Sequence, residues 1–230
     1  MLDELLAQAG EDENAVGIVV HGSRGRGLHV HEGSDWDVLV VVRESTGRYT
    51  SEERGGELEA FEVRSLRDLP KWMLPALTWT TPALDKTGAV AAQLAEVTRV
   101  DPATAAEPLD AYVNSYYHSA KNARAGLALA ALLDVQESIP WYLEFVFCVH
   151  GRLRPYNKWL EWELRNHPLP LEIDLERLER IARTGALEDQ QTLFRETEAL
   201  ARAHGHGATI DGWEPDVSWL RGSAAASPQN

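Results

Sequence analysis

A chain of 230 residues with 44% hydrophobic and 25% charged residues is long enough for two cores, and its composition excludes a disordered or fibrous polymer. No apolar run approaches the ~20 residues of a membrane helix. The acidic start Met1-Leu2-Asp3-Glu4 lacks a signal peptide's basic and apolar regions, and one cysteine, Cys148, forbids an intrachain disulfide, so a cytoplasmic protein with no membrane partner is expected. With 22 basic residues against 36 acidic ones, a net charge of −14 speaks against nucleic-acid binding and favours a small, even cationic, partner.

In chain order, Leu2, Leu5, Leu6 and Ala9 recur at helical spacing over 3–9. Strands are expected at 16–21, 36–42 and 57–64, separated by glycine-rich or charged loops. Ser65-Leu66-Arg67-Asp68-Leu69-Pro70 reads as a strand exit into a helix near Pro70, and Leu84 to Gly88 as a strand end and tight turn. A helix is expected over 89–98. A Pro/Ala-rich connector runs from Asp101-Pro102 to about Pro108, and beyond it strand signals nearly vanish. Helices are expected at about 109–133, 135–150, 155–166, 174–183 and 187–204. The pattern predicts an α/β (α+β) chain, with a mixed-sheet domain over 1–105 and an α-helical bundle over 106–222. A small, polar, disordered tail over 223–230 completes it. Cys148, in the apolar run Phe145-Val146-Phe147-Cys148-Val149, reads as a buried small hydrophobe.

The most specific feature is local. Gly17-Ile18-Val19-Val20-His21 ends at Gly22-Ser23-Arg24, and eleven residues separate Ser23 from Asp35 in Ser34-Asp35-Trp36-Asp37-Val38-Leu39-Val40-Val41-Val42. Along a strand Asp35 and Asp37 share a face. Two such carboxylates repel unless a cation lies between them, and hard oxygen donors suit Mg²⁺, hence a nucleoside triphosphate.

Strand, Gly-Ser turn, loop and Asp-x-Asp strand together resemble the signature of the DNA polymerase β-like nucleotidyltransferase superfamily. The resemblance implies two Mg²⁺ ions, an NTP co-substrate with ATP foremost, and transfer of a nucleoside monophosphate with release of pyrophosphate. It implies Asp35 and Asp37 as metal ligands and catalytic residues, with a third carboxylate from the next strand. Glu59 and Glu62 both qualify; their opposite parity admits only one, and Glu62 in Phe61-Glu62-Val63-Arg64 is the choice, since kanamycin-type members of the superfamily carry Glu there. Gly22, Ser23 and Arg24 would hold the triphosphate, with Arg26, His29 and His31 in the same loop.

Past the connector, Tyr112, Tyr116, Tyr117, His118, Ser119, Lys121, Asn122 and Arg124 crowd one helix. This segment resembles the bundle helix of kanamycin-type nucleotidyltransferases, and Lys121 matches the lysine that reaches the nucleotide phosphate there. Tyr117 stands where that pattern has its glutamate base. Glu137 replaces it as catalytic base, or Asp134, unless these two residues form a helix capping box. Lys158 or Arg154, in Gly151 to Leu160, is a further candidate for contact with phosphate, with Lys158 the choice. The expected acceptor is a hydroxyl of a small molecule and the protein a monomer or homodimer; the alternatives are an antitoxin-type enzyme modifying a partner protein and a catalytically inactive nucleotide-binding module.

Overall fold

The computed structural model describes residues 1–51 and 56–222, and the expected tail lies outside them. By contacts the chain forms two compact units, Met1–Arg99 with Pro155–Leu160, and Val100–Arg154 with Glu161 onward. Among the described residues no helix is long and apolar enough to cross a membrane.

In the first unit, α1 (Leu2–Glu11), β1 (Ala15–His21), α2 (Gly22–Arg26), β2 (Trp36–Val42), β3 (Leu58–Val63), β4 (Pro82–Asp85) and α3 (Ala89–Val97) follow in order. The four strands form one mixed sheet in the order β3-β2-β1-β4; β1 is antiparallel to β2 and β4, while β2 and β3 are parallel. The apolar run of β2 is buried on both faces, as a central strand requires. One face, with Ile18, Val38, Val40, Val42 and Ala60, packs under Leu2, Leu5, Leu6 and Ala9 of α1. The other, with Val19, Leu39 and Val41, packs under Val90 and Leu94 of α3 and under Leu66 and Leu77 of the following segment. Two layers of helix therefore cover a sheet whose Val, Ile and Leu side chains each contribute about 1.5–3 kcal/mol on burial. The helix expected near Pro70 is a 3₁₀ helix over Lys71–Leu77, with Pro70 as its N-cap.

The second unit is helical: α4 (Ala106–Arg124), α5 (Ala128–Val149), most of α6 (Leu160–Asn166), α7 (Leu175–Thr184), α8 (Leu187–Ala203), α9 (Gly207–Asp211) and α10 (Val217–Leu220). Its core is aromatic. Tyr112 lies 6.3 Å from Tyr116 and 5.9 Å from Tyr142, and Tyr116 lies 5.6 Å from Phe194, all between ring centroids. Cys148 is buried, as its apolar neighbours predict.

The break between the first two bundle helices differs from the expected 133/135. It falls at Ala125–Leu127, where Gly126 has φ +74° and the Leu127 N–H donates to the Asn122 carbonyl at 2.9 Å. A left-handed residue ends a helix, and glycine adopts that conformation without steric cost. Asp134 is consequently inside α5 and caps nothing; its carboxylate accepts from Asn122 Nδ2 at 2.7 Å and ties α5 to α4.

Candidate active site

The site forms where β1 ends. His21, the last residue of β1, pairs in register with Asp37 of β2. Gly22 then turns the chain with φ +68°, and a Cβ there would lie 1.9 Å from Asp37 Oδ2. Only glycine lets the turn close against that carboxylate. Ser23 follows in the single turn of α2. Arg24 donates from Nε to the Ser34 carbonyl at 2.7 Å, and its guanidinium lies 5.0 Å from the Trp36 ring centroid. Those contacts pin the end of the loop against the start of β2, which fixes Asp35.

Parallel pairing sets the third acid. Asp37 is second in β2, Glu59 is second in β3, and the two are register partners. Asp35, two residues before Asp37, shares their face. Carboxylate oxygens of Asp35, Asp37 and Glu59 all lie within 4.8 Å of one another. Glu62 does not join them, which corrects the sequence expectation. It pairs with Val40 on the opposite face of the sheet, beside the α1 layer. There it accepts from the backbone N–H of Thr46 at 2.7 Å, of Gly47 at 2.8 Å and of Tyr49 at 2.9 Å, and from the Ser45 hydroxyl at 3.1 Å. Burial opposes ionisation of Glu62, but these donors outweigh it and hold its carboxyl down to about 2. Its work is to fold the β2–β3 connection.

Asp37 has the opposite electrostatics. Burial first, then the charges of Asp35 and Glu59, push its carboxyl up to about 6, while Lys158 pulls the other way. Three hard oxygen donors crowded on one face, one of them costly to ionise, fit a divalent cation of the Mg²⁺ kind. Lys158 donates from Nζ to Ser23 Oγ at 3.1 Å. Hydroxyl and ammonium thus stand side by side at the Gly22-Ser23 turn, a pairing suited to phosphate oxygens.

Lys158 is held over Trp159, 4.8 Å from its ring centroid, and Trp159 is buried and stacks on Tyr156 at 5.2 Å. Arg26, a candidate phosphate contact in the sequence, takes a structural task instead. Its guanidinium lies 4.2 Å from the Trp159 ring centroid, donates to the Pro75 carbonyl at 2.7 Å and bonds the Thr78 hydroxyl. His29 and His31 are exposed in the loop. His21 is buried at the cleft, and burial pushes its imidazole down to about 4, so it is neutral at physiological pH.

The other expected residues belong to the helical unit. Tyr112, Tyr116 and Ser119 of the polar-looking α4 segment are core residues. Lys121 is exposed, with Nζ 5.7 Å from the Tyr117 ring centroid, and Glu137 is exposed in mid-α5. Arg154 is half-buried near Glu144, whose carboxyl is pushed up by burial.

Apolar patterning hid Glu59, because it leaves the register of β3 open. The structure places it second in its strand, as Asp37 is in β2, and the observed parallel register makes the two partners. Tyr156 and Trp159 had no legible signal, because no periodicity links 155–160 to the sheet. Residues 2–72 match the family model described as a nucleotidyltransferase domain. No curated protein matches the chain.

Proposed function

From the premise that residues 2–72 are a nucleotidyltransferase domain of the polymerase β-like superfamily, we propose that the protein transfers a nucleoside monophosphate from an NTP, ATP foremost, to a hydroxyl of a small molecule. The observation that carries this reading is the Asp35–Asp37–Glu59 trio beside Gly22-Ser23 and Lys158. The acceptor oxygen bonds to the α-phosphorus, the bond from that phosphorus to the bridging oxygen breaks, and pyrophosphate leaves as the hydroxyl proton passes to water. Asp35, Asp37 and Glu59 would hold Mg²⁺, which would supply a lowered hydroxyl pKa and neutralise charge on the transferred and departing oxygens. Gly22 keeps the turn close to Asp37, while Ser23 and Lys158 receive phosphate oxygens. Arg24 positions Asp35 through the Ser34 carbonyl. Lys121 of the helical unit is proposed as a further phosphate contact, a role that its substitution tests. A cytoplasmic setting, where Mg²⁺–ATP is abundant, suits this chemistry.

The test is incubation of the full chain with Mg²⁺ and α-³²P-labelled NTPs over a panel of hydroxylated small molecules. Label in an acceptor, one pyrophosphate per transfer and complete loss with EDTA are expected. Transfer that persists in EDTA, or that survives in Asp37→Asn, contradicts the reading.

A further inference from the structure

The cleft at the trio extends along the sheet away from the phosphate contacts. Ser23 and Lys158 stand at the end where β1 finishes; Glu59 is level with that end, and Phe61 and Val63 follow it on the same face of β3 toward the opposite end of the sheet. The 3₁₀ segment Lys71–Leu77 and the strand exit supply the facing wall, with Leu69, Trp72, Met73 and Ala76. The whole cleft measures about 680 Å³, within the range that small-molecule sites occupy. Two aromatic side chains in it are left facing solvent, Trp72 at 69% and Phe61 at 36% exposure. The backbone of Trp72 is tied down, because its carbonyl accepts from the Tyr156 hydroxyl at 2.7 Å. An exposed indole on a fixed backbone, beside Met73 and Leu69, is a stacking platform.

Among the described residues, charge does not favour the polycation that the net charge of −14 suggests. The acidic residues that line the cleft are Asp37 and Glu59, and both belong to the cation-binding trio. Once that trio is neutralised, the described residues of the lining offer no further carboxylate to an ammonium group, and their remaining charged group is Lys158. An amino sugar there finds no carboxylate partner for its ammonium groups among the described lining residues, and the apolar wall of Phe61, Val63, Leu69 and Met73 offers nothing to its hydroxyls.

We infer that the part of the cleft formed by Phe61, Val63, Leu69, Trp72 and Met73 is the acceptor site, and that it takes a flat aromatic molecule carrying a hydroxyl, not a polycationic sugar. The inference rests on the nucleotidyl-transfer reading for the word acceptor, but its chemistry is read from the cleft alone. The hydroxyl points to Glu59, at the trio, while the ring lies over Phe61 and against Trp72.

Calorimetric titration of the full chain tests it, with Mg²⁺ and a non-hydrolysable ATP analogue present and with naphthalene-2-methanol and kanamycin as probes. Naphthalene-2-methanol is expected to bind. Trp72→Ala and Phe61→Ala are each expected to weaken it by about 3- to 10-fold, the scale of a lost aromatic contact. Neither variant is expected to change binding of the Mg²⁺–analogue pair by more than about twofold, since neither side chain is among the groups assigned to the metal or the phosphates. Kanamycin is expected not to bind. Kanamycin binding in preference to the naphthyl probe, or naphthyl binding indifferent to Trp72 and Phe61, overturns the acceptor class while nucleotide binding stands. Absence of Mg²⁺–analogue binding in the unaltered chain overturns the transfer reading itself, and the acceptor role with it.

Discussion

Two glutamates three residues apart in β3 have opposite fates, and the difference is a matter of faces. Glu59 stands against Asp37, whereas Glu62 is bonded into the 45–49 turn across the sheet. Glu59→Gln is expected to lower kcat/KM at least 100-fold with little change in stability, the size of loss seen when a group acting at the transition state is removed. Glu62→Gln is expected to keep turnover within about threefold and to cost roughly 1–2 kcal/mol of stability in urea denaturation, because an amide NH₂ meets backbone donors and the set is partly open to water. The reverse pairing of effects contradicts the register. The two acids also titrate with opposite sign. Glu62 is held down to about 2, so its contribution is complete above its ordinary value of 4.5 and disappears as the pH falls toward 2. Asp37 is pushed up to about 6 from 3.8, so the folded, metal-free chain binds a proton there that the unfolded chain does not. Metal-free stability from Asp37 therefore falls as the pH rises from about 4 to 6, and Mg²⁺ affinity rises over the same window as the proton leaves. Calorimetry at pH 5 and pH 7.5 should show the tighter Mg²⁺ binding at the higher pH; equal affinities would contradict the raised carboxyl.

The Gly22 turn and the two paired strands show how the site depends on elements that are short and closely fitted. Gly22→Ala brings a Cβ to 1.9 Å from Asp37 Oδ2 at a positive φ, so either the turn or the carboxylate must move. We expect Mg²⁺-dependent transfer to fall at least 100-fold, with secondary structure by circular dichroism unchanged; near-normal transfer would show that the turn yields freely. The extents of β1 and β2 were legible in the sequence because apolar runs bounded by glycine and aspartate leave little freedom in placing a buried strand. The register of β3 was not, because Leu58, Ala60, Phe61 and Val63 put apolar residues on both faces, and the two glutamates fit either parity. The break at Gly126 was obscured by the alanines and leucines around it, which continue a helical pattern across the turn, while Asp134 and Glu137 imitated a capping box inside α5.

For the whole molecule, the mixed sheet with its Gly-Ser turn and the helical second half followed from the order of strand and helix patterns. The inclusion of 155–160 in the first unit did not, since it depends on Tyr156 and Trp159 packing with residues more than eighty positions earlier in sequence. Net charge misled in a similar way, because a sum over the chain says nothing of the few groups that line one cleft. Lys121 is the residue of the helical unit whose proposed phosphate contact is easiest to test. It is exposed, so Lys121→Ala leaves folding intact; a lost charged hydrogen bond to phosphate, about 1.5–3 kcal/mol, lowers kcat/KM by roughly 10- to 150-fold. A drop under threefold assigns Lys121 to the solvated surface. The decisive observation is the thermal stabilisation of the protein by Mg²⁺–ATP across four chains: unaltered, Asp37→Asn, Glu59→Gln and Glu62→Gln. If Asp35, Asp37 and Glu59 hold the metal, the unaltered chain and Glu62→Gln gain stability with Mg²⁺–ATP concentration as mass action requires, and the other two lose nearly all of that gain. Undiminished stabilisation in Asp37→Asn and Glu59→Gln would contradict the metal site and the nucleotidyl transfer built on it.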